Sequence, residues 1–164
     1  MRRNNLEYMF RSIEGNAIIF LRLYVNSLDN AVKAMTENNT RKLVEWTWAS
    51  VENLVKYLSS RKVRELFSVL REKIVAKYRE RNIEVDDKII VDSLVPRMHK
   101  SIRPRAYVLE NIDPELKGLY EMVVWAEPLF LTIHEGYEDE DEIREIALRV
   151  LSKMQEISKK TRIF

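Results

Sequence analysis

The chain has 164 residues, 46% apolar and 33% charged, with three glycines, no cysteine and a formal net charge of +2. That is the length of one ordinary domain, with enough apolar material for a single core. Without cysteine, disulfide frameworks, thiolate zinc sites and cysteine nucleophiles are excluded; with only His99 and His134, histidine-based metal or acid–base chemistry is thin.

The near-neutral total hides an asymmetry. Residues 60–105 carry 13 Lys/Arg against 7 Asp/Glu, residues 1–59 carry 8 against 6, and residues 106–164 carry 7 against 13. A basic middle followed by an acidic tail points to an anionic partner, most simply a nucleic-acid backbone. High charge and few glycines also lean towards a thermophile's surface ion pairs. The longest apolar block, residues 17–21, is followed by Arg22 and is too short to span a bilayer. With no secretory pattern either, the chain is expected to be cytoplasmic, with no membrane partner.

Along the chain, apolar residues at 6, 10, 13, 17, 20, 24, 28, 31 and 35 predict one long first helix. Tyr8, Ile18 and Ile19 widen its apolar surface beyond one stripe, which suggests a second packing face, inside the fold or against another subunit. Residues 37–40 break the helix, and Thr40 is expected to cap the next. From Arg41 to Leu58, Leu43, Trp46, Thr47, Val51, Leu54, Tyr57 and Leu58 share a face. Trp48 sits at its border, expected to pack under a neighbouring helix rather than to stack on a base.

Ser59 and Ser60 are read as caps of a third helix reaching about Arg79, with Val63, Leu66, Phe67, Leu70 and Ile74 facing inwards. Arg61, Arg64 and Arg71 lie together to one side of that stripe, and Lys62 flanks it on the other. Asp86 is expected to cap a short helix that Pro96 disrupts. Beyond it Arg97, Lys100, Arg103 and Arg105 recur around two prolines. The segment 101–105 is expected to be irregular, because Pro104 disfavours a helical Arg103, leaving a rigid basic ridge.

Asp113-Pro114 marks the start of a helix running to about His134. Five acids at 138–142 suit the dipole of a following helix better than a metal site. The last helix is predicted from Ile143, Ile146, Ala147, Val150, Leu151, Met154 and Ile157, ending in cations. The whole is expected to be an all-α, five- to six-helix bundle forming a single helical domain over 1–164.

Nothing reads as catalytic. The three glycines are isolated, so no phosphate-gripping loop exists. His99 follows Arg97 by only two residues, unlike the arginine–histidine spacing of small helical ribonucleases of the HEPN type. No cofactor is expected. Candidate nucleic-acid contacts are Arg61, Lys62, Arg64, Arg71, Arg97, Lys100, Arg103 and Arg105.

The stretch Leu58-Ser59-Ser60-Arg61-Lys62-Val63-Arg64-Glu65-Leu66 resembles the Leu-Thr/Ser-Thr/Ser-x-Lys/Gln-Ile/Val-Arg-x-Leu/Phe start found in Csm-type small subunits of type III CRISPR effector complexes. Leu94-Val95-Pro96-Arg97 and Arg103-Pro104-Arg105-Ala106-Tyr107-Val108 are similar to that family's proline–tyrosine region, and Leu116–Tyr120 with the closing helix follow in the same order. The likeness covers about residues 58–158. It divides the chain into amino-terminal helices over 1–57 and a small-subunit-like core over 58–164. It implies a non-catalytic structural subunit of an antiviral ribonucleoprotein, lining the channel where guide RNA pairs with target RNA. Its partners would be RNA phosphates, touched without reading sequence, other effector subunits and further stacked copies of itself. Arg61, Lys62, Arg64, Arg97, Arg103 and Arg105 take the contact role by the resemblance; Arg71 and Lys100 are added from geometry. The competing reading is a helical adaptor or transcription regulator that binds protein or duplex DNA.

Overall fold

The computed structural model describes the backbone of residues 2–163 and the side chains of residues 5–163. Among the described residues there are seven α-helices: α1 (Arg2–Thr36), α2 (Thr40–Arg61), α3 (Val63–Glu80), α4 (Asp87–Asp92), α5 (His99–Ile112), α6 (Leu119–Glu135) and α7 (Glu140–Lys160). A 3-10 turn, Pro114–Leu116, precedes α6, and there is no strand among the described residues. The class is all-α as expected, with one helix more than the five or six predicted.

That extra helix is α5, formed where the proline ridge was expected to be irregular. Pro104 lies only six residues into it, so the missing amide leaves one carbonyl, that of Lys100, without its helical donor. Against that small loss, Ile102, Ala106 and Leu109 are all fully buried, at the four- and three-residue spacing of one helical face. Tertiary burial outweighs the local preference of Arg103.

The organising unit is the hairpin of α1 and α2, which pack along each other more extensively than any other pair. Phe10, Ala17, Tyr24, Leu28, Ala31 and Ala34 form the buried face of α1, so its last inward residue is Ala34 and Met35 stays exposed. One hydrophobic cluster runs from Phe10 to Ile157 and draws on both ends of the chain. The buried Tyr24 hydroxyl and Ser158 Oγ share a hydrogen bond of 2.6 Å, tying α1 to α7. Burial pushes the Tyr24 phenol up to about 12, with the Ser158 bond opposing.

Three local expectations are corrected. Asn39, not Thr40, caps α2 by accepting from the Lys42 amide. Thr40 instead donates to Glu140 at 2.6 Å and accepts from Arg144, fastening the start of α2 to the start of α7. Ser59 and Ser60 are not caps: they lie fully buried in the last turn of α2, donating back to the Val55 and Lys56 carbonyls. Only Lys62 separates α2 from α3. Finally, Asp113 caps just the 3-10 turn, and Gly118, at φ +97°, breaks the chain before α6. The acids at 138–142 serve the terminus they precede: Asp139 accepts from the Glu142 amide, and Glu140, Asp141 and Glu142 fill the first turn of α7.

Candidate nucleic-acid interface

The eight candidate cations divide into two groups. Four are held by the fold itself. Lys62 Nζ lies 2.8 Å from Asp113 Oδ2, pinning the α2–α3 junction to the end of α5. Burial works against the Asp113 charge, but the Lys62 and Glu115 hydrogen bonds and the Lys62 charge outweigh it and hold the carboxyl below its usual range.

Arg64 donates from Nε to Glu14 at 2.6 Å and from both terminal nitrogens to Glu7 at 2.7 and 2.8 Å. Its guanidinium also lies over the Phe10 ring, 5.3 Å from the centroid. The two glutamate hydrogen bonds raise the Arg64 pKa, and the Arg64 hydrogen bond, foremost, lowers that of Glu7. Arg64 is therefore the clamp between α3 and α1. Arg103 donates to the Tyr120 hydroxyl at 3.1 and 3.2 Å and faces Glu127 at 3.4 Å, joining α5 to α6.

Arg105 turns inwards and donates to the Ser93 carbonyl at 2.9 Å, while its Nε is buried with no hydrogen-bond partner. Burial pushes its pKa down to about 10. Guanidinium groups stay protonated in proteins, so we read this as the cost of holding a charge there, not as a neutral arginine at ordinary pH.

The other four remain open. Arg61, at the end of α2, has a long 3.5 Å contact to the Tyr57 hydroxyl and lies over the Tyr57 ring at 5.9 Å, with no ion pair among the described residues. Arg97 lies a loose 3.7 Å from Asp92, with three quarters of its side chain exposed. Lys100 and Arg71 are exposed, with no ion pair among the described residues.

Arg71 begins the half of α3 that buries less: no residue past Leu70 is fully buried, although Ile74 still packs against the core and Tyr78 is half-buried. Lys73, Lys77 and Arg79 follow on the same segment, all exposed and, among the described residues, without an ion-pair partner. Sequence reasoning placed none of these three in the site. The available signal was the charge pattern: between 71 and 80 the helix carries cations at 71, 73, 77 and 79 against acids only at 72 and 80. An open cleft of about 1190 Å³ lies beside them, lined by Tyr8, Arg71, Arg79 and Lys88 but also by Glu72, Glu84, Asp86 and Asp87. Those carboxylates make the cleft itself a poor seat for phosphate.

The two histidines, distant in sequence, meet on one aromatic ring. His99 stacks on Phe130 with centroids 4.2 Å apart and 22° between planes, and His134 meets the same ring edge-on at 4.8 Å. Trp48 packs against the ring at 5.2 Å, and its indole nitrogen donates to Glu52. Trp48 is thus buried under α6, as its border position predicts. Among the described residues, no group of three or more acids and histidines is placed to hold a metal ion, and no helix is long and apolar enough to cross a membrane.

Compared with known proteins, the chain matches no family model, no curated protein and no solved structure.

Proposed function

We propose that the protein is a non-catalytic RNA-binding subunit of a ribonucleoprotein, of the kind its resemblance to Csm-type small subunits implies, contacting phosphates without reading base sequence. The observation that carries this reading is the second half of α3, where Arg71, Lys73, Lys77 and Arg79 stand exposed within nine residues and, among the described residues, without an ion pair. Arg61, Arg97 and Lys100 extend the open set. Flexible cations on a helix suit phosphate contact, because each gains by releasing condensed counterions and none needs a particular base edge. Lys62, Arg64, Arg103 and Arg105 become scaffold residues that hold the helices in place.

The test is fluorescence anisotropy on uniform single-stranded RNA and on an RNA duplex across a salt series, comparing the wild type with Arg71→Glu/Lys77→Glu. The double variant should bind about tenfold or more weakly at low salt, and its log–log salt slope should flatten by about 1.5. Unchanged affinity and slope would overturn the assignment. Purification of the tagged protein from its native host tests the assembly. Short RNAs sharing one constant end, together with other subunits, support the effector reading; an RNA-free preparation opposes it.

A further inference from the structure

The outward face of α1 bears large apolar side chains that no other part of the fold covers. Tyr8, Ile18, Ile19 and Leu23 are 73%, 47%, 51% and 45% exposed, and Val32 is 37% exposed. Isolated exposed apolar residues are ordinary, but a row of them along one helix of 35 residues is a surface. Three of the five, Tyr8, Ile18 and Val32, fall in a heptad register, and Ile19 and Leu23 lie beside it. Tyr8, Gly15, Arg22 and Asp29 recur at sevens, and Arg11, Ile18, Val25 and Val32 recur at sevens three residues later. Every one of these is exposed except Val25, which is half-buried.

The charges on this face distinguish the ways of pairing it. If two copies ran parallel in register, Arg11 would oppose Arg11, Arg22 would oppose Arg22 and Asp29 would oppose Asp29, all repulsive. If they ran antiparallel about a two-fold axis near residue 20, Arg11 of each copy would meet Asp29 of the other. Ile18 would meet the aliphatic stem of Arg22, Gly15 would meet Val25, and Tyr8 would meet Val32. Of these two arrangements, only the antiparallel one sets unlike charges opposite each other. Arg11 already touches Glu7 at 3.2 Å, an exposed pair one turn away that leaves most of its guanidinium free. Asp29 has no ion pair among the described residues. Gly15 has nothing within 4 Å of where a Cβ would stand, so a second helix can approach there closely.

We infer that α1 is a self-association surface, through which two copies pair antiparallel by a two-fold axis near residue 20, sealed at each end by an Arg11–Asp29 ion pair. The pairing uses the face opposite the core and does not depend on the RNA reading.

Sedimentation equilibrium of the full chain should show a dimer. Arg11→Asp and Asp29→Arg should each weaken it about tenfold, since both symmetry-related pairs are lost at once, and the double variant Arg11→Asp/Asp29→Arg should recover it. Circular dichroism checks that each variant remains folded. With no native cysteine, single spin labels give the direction cleanly. Labels on Ile18→Cys should lie close together across the dimer, whereas labels on Tyr8→Cys should lie about 36 Å apart along the axis, from the helical rise. A strictly monomeric protein, a dimer indifferent to both charge reversals, or a short distance between the Tyr8→Cys labels would each overturn the inference.

Discussion

The two ends of α3 carry similar residues and meet opposite fates. At its start, Lys62 and Arg64 are gripped by Asp113, Glu7 and Glu14, carboxylates supplied by other elements. Nine residues further on, Arg71, Lys73, Lys77 and Arg79 find no such carboxylate among the described residues. A cation is most available to a partner where the fold brings no acid close enough to grip it. The same split separates Arg103 and Arg105, which are held, from Arg97 and Lys100, which are open.

The comparison is broken most completely by Leu66→Asp. Leu66 is fully buried where α3 meets the core, and an unpaired carboxylate there costs several kcal/mol, about the stability of a small domain. Loss of the helical circular dichroism signal is the expected outcome; a cooperative melt near that of the wild type would show the inward stripe to be misassigned.

The contrast between open and held cations is sharpest in RNA binding. Arg71→Glu/Lys77→Glu should lose affinity as set out above, while Arg103→Gln should change it little and lower the melting temperature instead. Equal losses of affinity in the two proteins would erase the distinction.

A smaller effect isolates the Arg64 clamp. Arg64→Ala should melt below the wild type at neutral pH. The Arg64 hydrogen bond depresses the Glu7 pKa on folding, so this contribution is present above the unfolded carboxylate value and fades as pH falls through the lower folded one. The two melting temperatures should therefore converge in acid. A gap that persists there would mean that packing on Phe10, not charge, supplies the effect.

The smallest change is expected at Arg105. Replacing a poorly satisfied, half-buried charge with an apolar side chain of similar length is often neutral or stabilising. Arg105→Met should shift stability by at most about 1 kcal/mol in either direction and leave RNA affinity intact. A large loss of affinity would return Arg105 to the interface.

Much of the architecture was legible before folding. The inward stripes of α1, α2, α3 and α7 are periodic over many turns, and period alone decides which face a helix buries. Asp86 announced its helix because a capping carboxylate acts on amides two or three residues away, and the acids at 138–142 announced α7 through its dipole. Local rules failed where distant packing set the answer. Ser59 and Ser60 have capping chemistry, yet α2 runs through them because their side chains can bond backwards along the helix inside the core. Pro104 was over-weighted because the gain from burying Ile102, Ala106 and Leu109 is not local.

The candidate site was only half legible, for the same reason. Sequence by itself determined the all-α class, the position of most helices and the basic middle of the chain, since each depends on neighbours within a turn or two. Only the tertiary structure decided which cations were spent. Glu7 and Glu14 reach Arg64 across 57 and 50 residues, and Asp113 reaches Lys62 across 51, separations at which charge pairing depends on how helices cross and not on any spacing written along the chain.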